Sequence, residues 1–238
     1  MTDAPIPPTP VFPRLAALVV AAGKGLRAGG DTPKQFATYF GKPLLRHSIE
    51  AFSSWNDRMR LVVVIGEGQR EFAEEALAGF DGITYVTGGA ERHDSVRSGL
   101  LAIAAMGDTD RVFIHDAARP QLSAAVLDRL NAALDRHPGA VPVLPVVDSI
   151  ARGEDGLMVS AIDRAALWRI QTPQAFHFAP ILAAHRAWPD GTNPTDDSQV
   201  ARAHGLPVAL VDGDEALRKI TFAQDFAMMA PSPTVVTR

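Results

Sequence analysis

The chain has 238 residues, 47% of them apolar, a formal net charge of −4 and no cysteine. That apolar share suits one sizeable α/β domain. The missing thiols exclude disulfides and thiolate metal sites, and the lack of any basic run speaks against extended nucleic-acid binding. No run of eighteen apolar residues occurs, so no membrane span is predicted, and the composition fits a cytoplasmic protein.

Residues 1–13, MTDAPIPPTPVFP, are Pro-rich and lack the basic and apolar regions of a signal peptide. They read as a disordered lead-in to a domain over 14–230, with 231–238 as a tail or linker. Leu15–Val20 is a short apolar run, predicted to be a buried strand. It stops at Ala21-Ala22-Gly23, and Lys24, Gly25, Arg27, Gly29 and Gly30 follow before Asp31-Thr32-Pro33 closes a loop onto Lys34-Gln35. Small residues let the backbone approach a ligand closely and turn its N–H groups outward. Lys24, Arg27 and Lys34, three cations within eleven residues, ask for a polyanion, of which a nucleoside triphosphate is the simplest. The plain alternative is a solvated turn with incidental charges. A dinucleotide-binding turn fits Gly23–Ala28 on paper, but Gly29-Gly30-Asp31-Thr32-Pro33 stands where its helix should open. A Walker loop fails because Pro43 follows Gly41-Lys42 where Ser or Thr should hold the metal.

Pro43 starts a helix with Leu45, Ile49 and Phe52 on one face. Leu61–Ile65 is a second strand, Gln69–Leu77 a helix, and Ile83–Val86 a third strand running into Gly88-Gly89-Ala90-Glu91-Arg92. The next helix turns Val96, Leu100 and Ile103 to one side, with Asp94 and Ser95 in its first turn. Arg111–His115 is a fourth strand leading to Asp116-Ala117-Ala118-Arg119-Pro120; Ser123 caps a helix that Pro138-Gly139 stops, and Ala140–Val147 is a fifth strand. This alternation predicts a Rossmann-like, mostly parallel sheet with helices on both faces. Ligands of such sheets bind beyond the carboxyl ends of the strands, where loops 21–35, 88–95 and 116–120 all lie.

The rhythm breaks after Asp148. Asp155-Gly156 between two alternating runs predicts a hairpin, and Leu167–Gln171 is a further extended piece. Residues 149–172 are read as an arm that packs on a second subunit, the alternative being an arm folded back on its own domain. Thr195-Asp196-Asp197 is a good helix start, Leu206–Val211 a strand and Phe222–Met229 a last helix.

Asp116, at a strand end, is the best candidate for a Mg²⁺ ligand, a hard cation that keeps several waters, so one carboxylate can suffice; a turn-capping role is the alternative. His115 is read as a strand residue. The scattered histidines and the missing H-E-x-x-H spacing assign no zinc. No paired carboxylates or Ser-His-Asp set stands out, which favours an acceptor that needs no general base. A phosphate monoester, with a second pKa of about 6, is such a nucleophile.

The segments AAGKGLRAGGDTPKQF, GKPLLRHSIEAF, GGAERHDSVRSGL, HDAARP, DRAALWRIQTPQAF, TDDSQV and KIT-x-x-x-DF follow in one order. Together they resemble the 2-C-methyl-D-erythritol 4-phosphate cytidylyltransferases over about Leu15–Met229; the first segment alone marks only the wider sugar-nucleotidyltransferase group. The resemblance implies Mg²⁺-dependent transfer of CMP from CTP to methylerythritol phosphate in non-mevalonate isoprenoid synthesis, by a homodimer. It implies Arg27, Lys34, Asp116 and Lys219 as catalytic residues, with the metal on Asp116. It puts Ala21, Ala22, Gly23, Lys24, Gly25, Gly89, Arg92 and Ser95 around CTP. It puts Arg119, Ser149, Arg164, Thr172 and Thr195 around the acceptor, with Arg164 arriving from the partner's arm. The chain departs from the family pattern at Ala28, where Met is usual, at Ser149, often Thr, and at Leu217-Arg218, where Asn-Ile is common. A cytidylyltransferase for ribitol 5-phosphate or another sugar phosphate, and a non-catalytic nucleotide-binding regulator, are the rival readings. The family is sometimes fused to a following cyclodiphosphate synthase domain, to which the linker-like end at 234–238 could lead.

Overall fold

Strand β1, Leu15–Ala21, is buried on both faces, and its residues alternate between two cores. Leu15, Ala17, Val19 and Ala21 enter one cluster; Ala16 and Leu18 enter the other. A strand apolar at every position, not every second one, is the signature of a sheet sandwiched by helices. The computed structural model describes residues 12–23, 33–221 and Asp225. Most of the expected lead-in, Lys24 to Thr32, the predicted last helix Phe222–Met229 apart from Asp225, and the tail lie outside these residues.

After a single 3-10 turn at Lys34–Phe36 comes a minimal hairpin of β2 (Thr38–Tyr39) and β3 (Lys42–Pro43). Helix α1 (Leu44–Trp55) follows, then β4 (Arg60–Ile65), α2 (Arg70–Ala76), β5 (Ile83–Thr87), α3 (Arg92–Ala105) and β6 (Arg111–Asp116). Next are α4 (Ala124–Ala133), β7 (Gly139–Pro145), β8 (Ile150–Glu154), β9 (Leu157–Ile162), β10 (Trp168–Ile170) and β11 (Gln174–His177). Helices α5 (Phe178–Ala187) and α6 (Asp197–Ala203) and strand β12 (Val208–Asp212) complete the order. No helix among the described residues is long and apolar enough to cross a membrane.

Among the described residues the main sheet has eight strands. β5, β4, β1 and β6 lie side by side and parallel, as the alternation of strand and helix predicts. Beyond β6 the pattern changes. β11 inserts antiparallel between β6 and β7. β10 continues along the same edge of β7, pairing with residues 143–145, while β12 runs parallel to β7 on its other edge. β11 and α5 escaped the sequence reading because Gln174–His177 is short and opens on a polar residue. The projecting piece is also shorter than the predicted 149–172. The β8–β9 hairpin is exposed at nearly every position and forms a sheet of its own; residues 163–170 are exposed too, but β10 pairs with β7 in the main sheet, and Gln171 and Thr172 are buried.

α1, α2 and α4 cover one face of the sheet, α3, α5 and α6 the other. α3 lies especially close: a Cβ built on Gly99 would fall 2.3 Å from Leu18 Cδ1 and 2.9 Å from Val64 Cγ2. Ser123 holds the N-cap position of α4, but its hydroxyl makes no capping bond and is buried without a partner, so that start rests on packing of Val126, Leu127 and Leu130. Replacing Gly99 by Val is expected to lower unfolding free energy by about 2 kcal/mol through overpacking, seen as a lower urea midpoint. An unchanged midpoint would mean that α3 is not seated this closely on β1.

Candidate active site

In register, Val20 pairs with Asp116, Ala21 with Ile65 and Ile65 with Thr87. The carboxyl ends of β1, β4, β5 and β6 are therefore level, and the loops that follow them open on one edge of the sheet.

The first loop is anchored by Gln35, a side chain the sequence reading passed over. Gln35 is 3% exposed, and its amide nitrogen donates to the carbonyls of Ala21 (2.7 Å) and Gly23 (2.9 Å) and to Gln69 Oε1 (3.0 Å). Gln69 Oε1 also accepts the Gly66 N–H at 3.0 Å. The 3-10 turn that carries Gln35 thus ties both ends of the loop to β1 and to the loop after β4. Of the expected loop residues, Ala21, Ala22 and Gly23 sit at this edge, whereas Lys24, Gly25 and Arg27 lie outside the described residues. Lys34 is half-buried and donates to the carbonyl of Ile220 at 3.1 Å.

The second loop is drawn tight by Ser95, whose buried hydroxyl donates to the Glu91 carbonyl and accepts from the Gly89 N–H. A Cβ on Gly88 would lie 2.5 Å from Ser95 Oγ and 2.8 Å from Ala22 Cβ. Glycine is required there because the first and second loops touch.

Asp116 lies at the meeting point. Its carboxylate accepts from Arg92 Nε at 2.9 Å and from Lys219 Nζ at 2.7 Å. Burial alone would raise its pKa, but the charges of Arg92 and Lys219 outweigh that and hold it well below the usual carboxylate range. Arg92 also donates from its other branch to Asp197 at 2.9 Å. Asp197, 1% exposed in the first turn of α6, is likewise buried and likewise kept ionised by Arg92, with His185 Nε2 3.2 Å from its second oxygen. Arg92 was expected among the CTP contacts; here its guanidinium joins two carboxylates. Asp197 and His185 carried no sequence signal beyond the TDD triplet, since nothing local says that α6 meets α3.

The C-terminal strap completes the floor. Leu217 is fully buried, and its carbonyl accepts from Arg119 (2.8 Å) and Gln171 (3.3 Å), while the Ile220 N–H donates to the Ala118 carbonyl. Leu217 is thus an anchor that lets Lys219 reach Asp116, and Arg218 faces solvent. Thr172 is 5% exposed and its hydroxyl accepts the Asp116 N–H at 3.1 Å. His115, fully buried, has its pKa lowered by burial to about 4 and is neutral at pH 7. Thr195, exposed at the approach to α6, bonds Gln199 Oε1. Ser149 and Arg164 stand apart from this cluster on the exposed arm, where Arg164 donates to the Val147 carbonyl.

The arrangement can hold an anion-rich ligand above a buried carboxylate whose charge is secured. No group of three or more His, Cys, Asp or Glu side chains suited to a metal occurs among the described residues. Asn at Asp197 is expected to remove about 3 kcal/mol of stability at pH 7, because Arg92 keeps its charge but loses part of its counter-charge. The depressed carboxyl contributes stability above its ordinary value of 3.8, and that contribution fades as pH falls toward the folded-state value. The difference between wild type and Asp197→Asn in urea unfolding should therefore narrow below about pH 4; a gap constant from pH 7 to 3 would refute the charge argument.

The profile of the IspD family, 2-C-methyl-D-erythritol 4-phosphate cytidylyltransferase, matches residues 15–231. A bifunctional enzyme IspD/IspF of Rhizorhabdus wittichii is 51% identical over 226 residues, covering 95% of this chain and 58% of that one. The chain spans between 54 and 58% of the length of several such bifunctional relatives. A 2-C-methyl-D-erythritol 4-phosphate cytidylyltransferase of Cereibacter sphaeroides is 47% identical, covering 89% of this chain and 93% of that one. The crystal structure of 2-C-methyl-D-erythritol 4-phosphate cytidylyltransferase from Thermus thermophilus superposes with a TM-score of 0.73 at 32% identity, covering 90% and 96% of the two chains. The sheet order, the level loops and the carboxylate cluster are thus those of a chain that belongs to the 2-C-methyl-D-erythritol 4-phosphate cytidylyltransferase (IspD) family.

Proposed function

We propose that the chain transfers CMP from CTP to the phosphate of 2-C-methyl-D-erythritol 4-phosphate, giving 4-diphosphocytidyl-2-C-methyl-D-erythritol and pyrophosphate in non-mevalonate isoprenoid synthesis. The observation that carries this reading is the ionised, buried Asp116 beneath loops whose backbone is drawn in by Gln35 and Ser95. In this reading the triphosphate lies along the first loop. Lys34 and Arg27 take up charge at the α-phosphate. The acceptor phosphate, largely dianionic at pH 7, attacks the α-phosphorus in line. The new P–O bond forms as the bond to the leaving pyrophosphate breaks, and no proton has to be removed from the nucleophile. Ala21, Ala22, Gly23 and Gly89 offer small surfaces and main-chain groups that suit a pyrimidine and its ribose; Arg119 and Lys219 suit the acceptor phosphate.

Asp116 fits a Mg²⁺ ion. It is a hard oxygen donor kept deprotonated, and Lys219 Nζ, 2.7 Å away, already marks a cation position on one oxygen. With one carboxylate, the ion would take its other ligands from phosphates and water. Bound there, it would neutralise charge developing on the phosphates.

Transfer should be read as pyrophosphate release with CTP and methylerythritol phosphate, and not with ribitol 5-phosphate or ATP. Lys34→Ala is expected to lower kcat by about a hundredfold, the size of losing one preorganised donor to developing charge. Release with ribitol 5-phosphate alone would overturn the acceptor, and turnover near wild type in Lys34→Ala would overturn the role of that lysine.

We infer further that the protein is a cytoplasmic homodimer joined through the β8–β9 arm. The arm exposes Leu157 (74%), Met158 (69%) and Val159 (55%) together, more apolar surface than a lone hairpin sustains in water. A second copy seated there would bring Arg164 and Ser149 toward the partner's acceptor site. Leu157→Asp combined with Met158→Asp should convert a dimer into a monomer in sedimentation; a wild-type chain already monomeric at micromolar concentration would exclude this reading.

A further inference from the structure

At the carboxyl ends of the strands the parallel ladder closes twice with a main-chain bond. The Val20 carbonyl accepts the Ala117 N–H at 3.0 Å, and the Ile65 carbonyl accepts the Gly88 N–H at 2.8 Å. Between β1 and β4 the corresponding groups, the Ala21 carbonyl and the Gly66 N–H, meet side chains. Gln35 Nε2 donates to the Ala21 carbonyl at 2.7 Å, and the Gly66 N–H donates to Gln69 Oε1 at 3.0 Å. Gln35 Nε2 in turn donates to Gln69 Oε1 at 3.0 Å. Two amides thus stand where β1 and β4 part. The main chain sets the direction of every bond. Carbonyls only accept, so those of Ala21 and Gly23 face the nitrogen of Gln35; an N–H only donates, so that of Gly66 faces the oxygen of Gln69. Gln69 holds the N-cap position of α2, but its side chain makes no capping bond there. It folds back over Gly66, where a Cβ would fall 2.9 Å from Gln69 Cδ. Beside the amides, Phe36 and Phe72 stack with ring centroids 5.7 Å apart, so apolar contact also seats the 3-10 turn on α2.

This inference rests on the function proposed above. We propose that Gln69 is a positioning residue for the nucleotide: it holds the Gln35 amide with its nitrogen toward the first loop, so that two carbonyl oxygens at the root of that loop are bonded within the protein and do not face the triphosphate. A carbonyl oxygen carries partial negative charge and repels a polyanion, whereas main-chain N–H groups attract one. In a trans peptide the C=O and the next N–H point in opposite directions. Fixing the Ala21 carbonyl toward Gln35 therefore also fixes the Ala22 N–H away from it. Turned over, the Gln35 amide would set its own oxygen against both carbonyls, and the loop root would have to rearrange. Gln69 Oε1 opposes that flip, because it too accepts from the Gln35 nitrogen alone. The effect falls on the nucleotide and not on the acceptor, whose cations, Arg119 and Lys219, are held by the strap and by Asp116.

The first arm of the test is NMR of the ligand-free protein. The side-chain NH2 of Gln35 is the signal lost in Gln35→Met. One of its protons should lie downfield and be protected from solvent exchange. It should lose both properties in Gln69→Met and keep them in Gln69→Glu, whose carboxylate still accepts from Gly66 and Gln35. A Gln35 signal indifferent to Gln69→Met overturns the proposal. The second arm is equilibrium titration with CTP and Mg²⁺. Gln69→Met should bind CTP about fivefold more weakly, the size of one lost neutral hydrogen bond, and Gln35→Glu, of equal size but with no N–H to give, at least about tenfold more weakly. The KM for the acceptor at saturating CTP should stay that of wild type in Gln69→Met. Wild-type CTP affinity in Gln69→Met overturns the proposal. So does an equal loss for CTP and acceptor, which would mean a general loosening of the fold. A wild-type chain that does not bind CTP overturns the functional reading and the nucleotide role with it, while the NMR arm still judges whether Gln69 orients Gln35.

Discussion

The buried ion pair between Arg92 and Asp116 is the constraint on which the site depends. Two charges removed from water cost several kcal/mol each unless every partner is in place. Here the partners come from four parts of the chain: Asp116 from the end of β6, Arg92 from the first turn of α3, Asp197 from the first turn of α6, and Lys219 from the C-terminal strap. None of them is satisfied by its own element. The pair therefore adds polar ties at the edge of the sheet between elements that the hydrophobic cores already pack together. It also makes the carboxylate an anion whatever the local burial, the property a cation-assisted phosphoryl site asks of it.

A second layer of hydrogen bonds, most of them from neutral amide and hydroxyl groups, sets the loops around that charge. Gln35 gathers two carbonyls of the first loop and the side chain of Gln69; Ser95 gathers the second loop; Gln171 and Arg119 share the Leu217 carbonyl; Gln174 reaches Asp196 and the Ser198 N–H at the start of α6. Amides suit this task because one group can donate and accept at once without adding charge. Main-chain groups held this way have little left to reorganise, which is how a site gains charge stabilisation without a mobile solvent shell.

The far side of the sheet follows a different logic. The antiparallel β10 and β11 return the chain across β7 after the hairpin, so the arm is rooted directly beside the buried Gln171 and Thr172. Ser149 and Arg164 lie on the arm and Thr172 at its base, although within one chain only Thr172 reaches Asp116.

Much of this was legible in the residues. The strands of the parallel half are apolar at every position, the helices carry one-sided apolar faces, and Gly and Pro punctuate the loops, so their order and type follow from local patterning. Asp116 stands at a strand end, as the patterning predicts, and the family motifs pointed to the family the comparisons show. Tertiary structure decided the rest. The chain order does not say that an antiparallel strand, Gln174–His177, enters between β6 and β7, because a short polar-led segment gains its strand geometry only from neighbours on both sides. Nor does it say that Arg92 serves two carboxylates or that Gln35 anchors the loop. Those roles are pairings between residues from 24 to 105 positions apart, or between a side chain and main-chain atoms whose direction is set only once the strands are in register. Local sequence determined which elements form and where charge collects; the burial of those charges, and therefore their partners, was fixed by the packing of elements far apart in the chain.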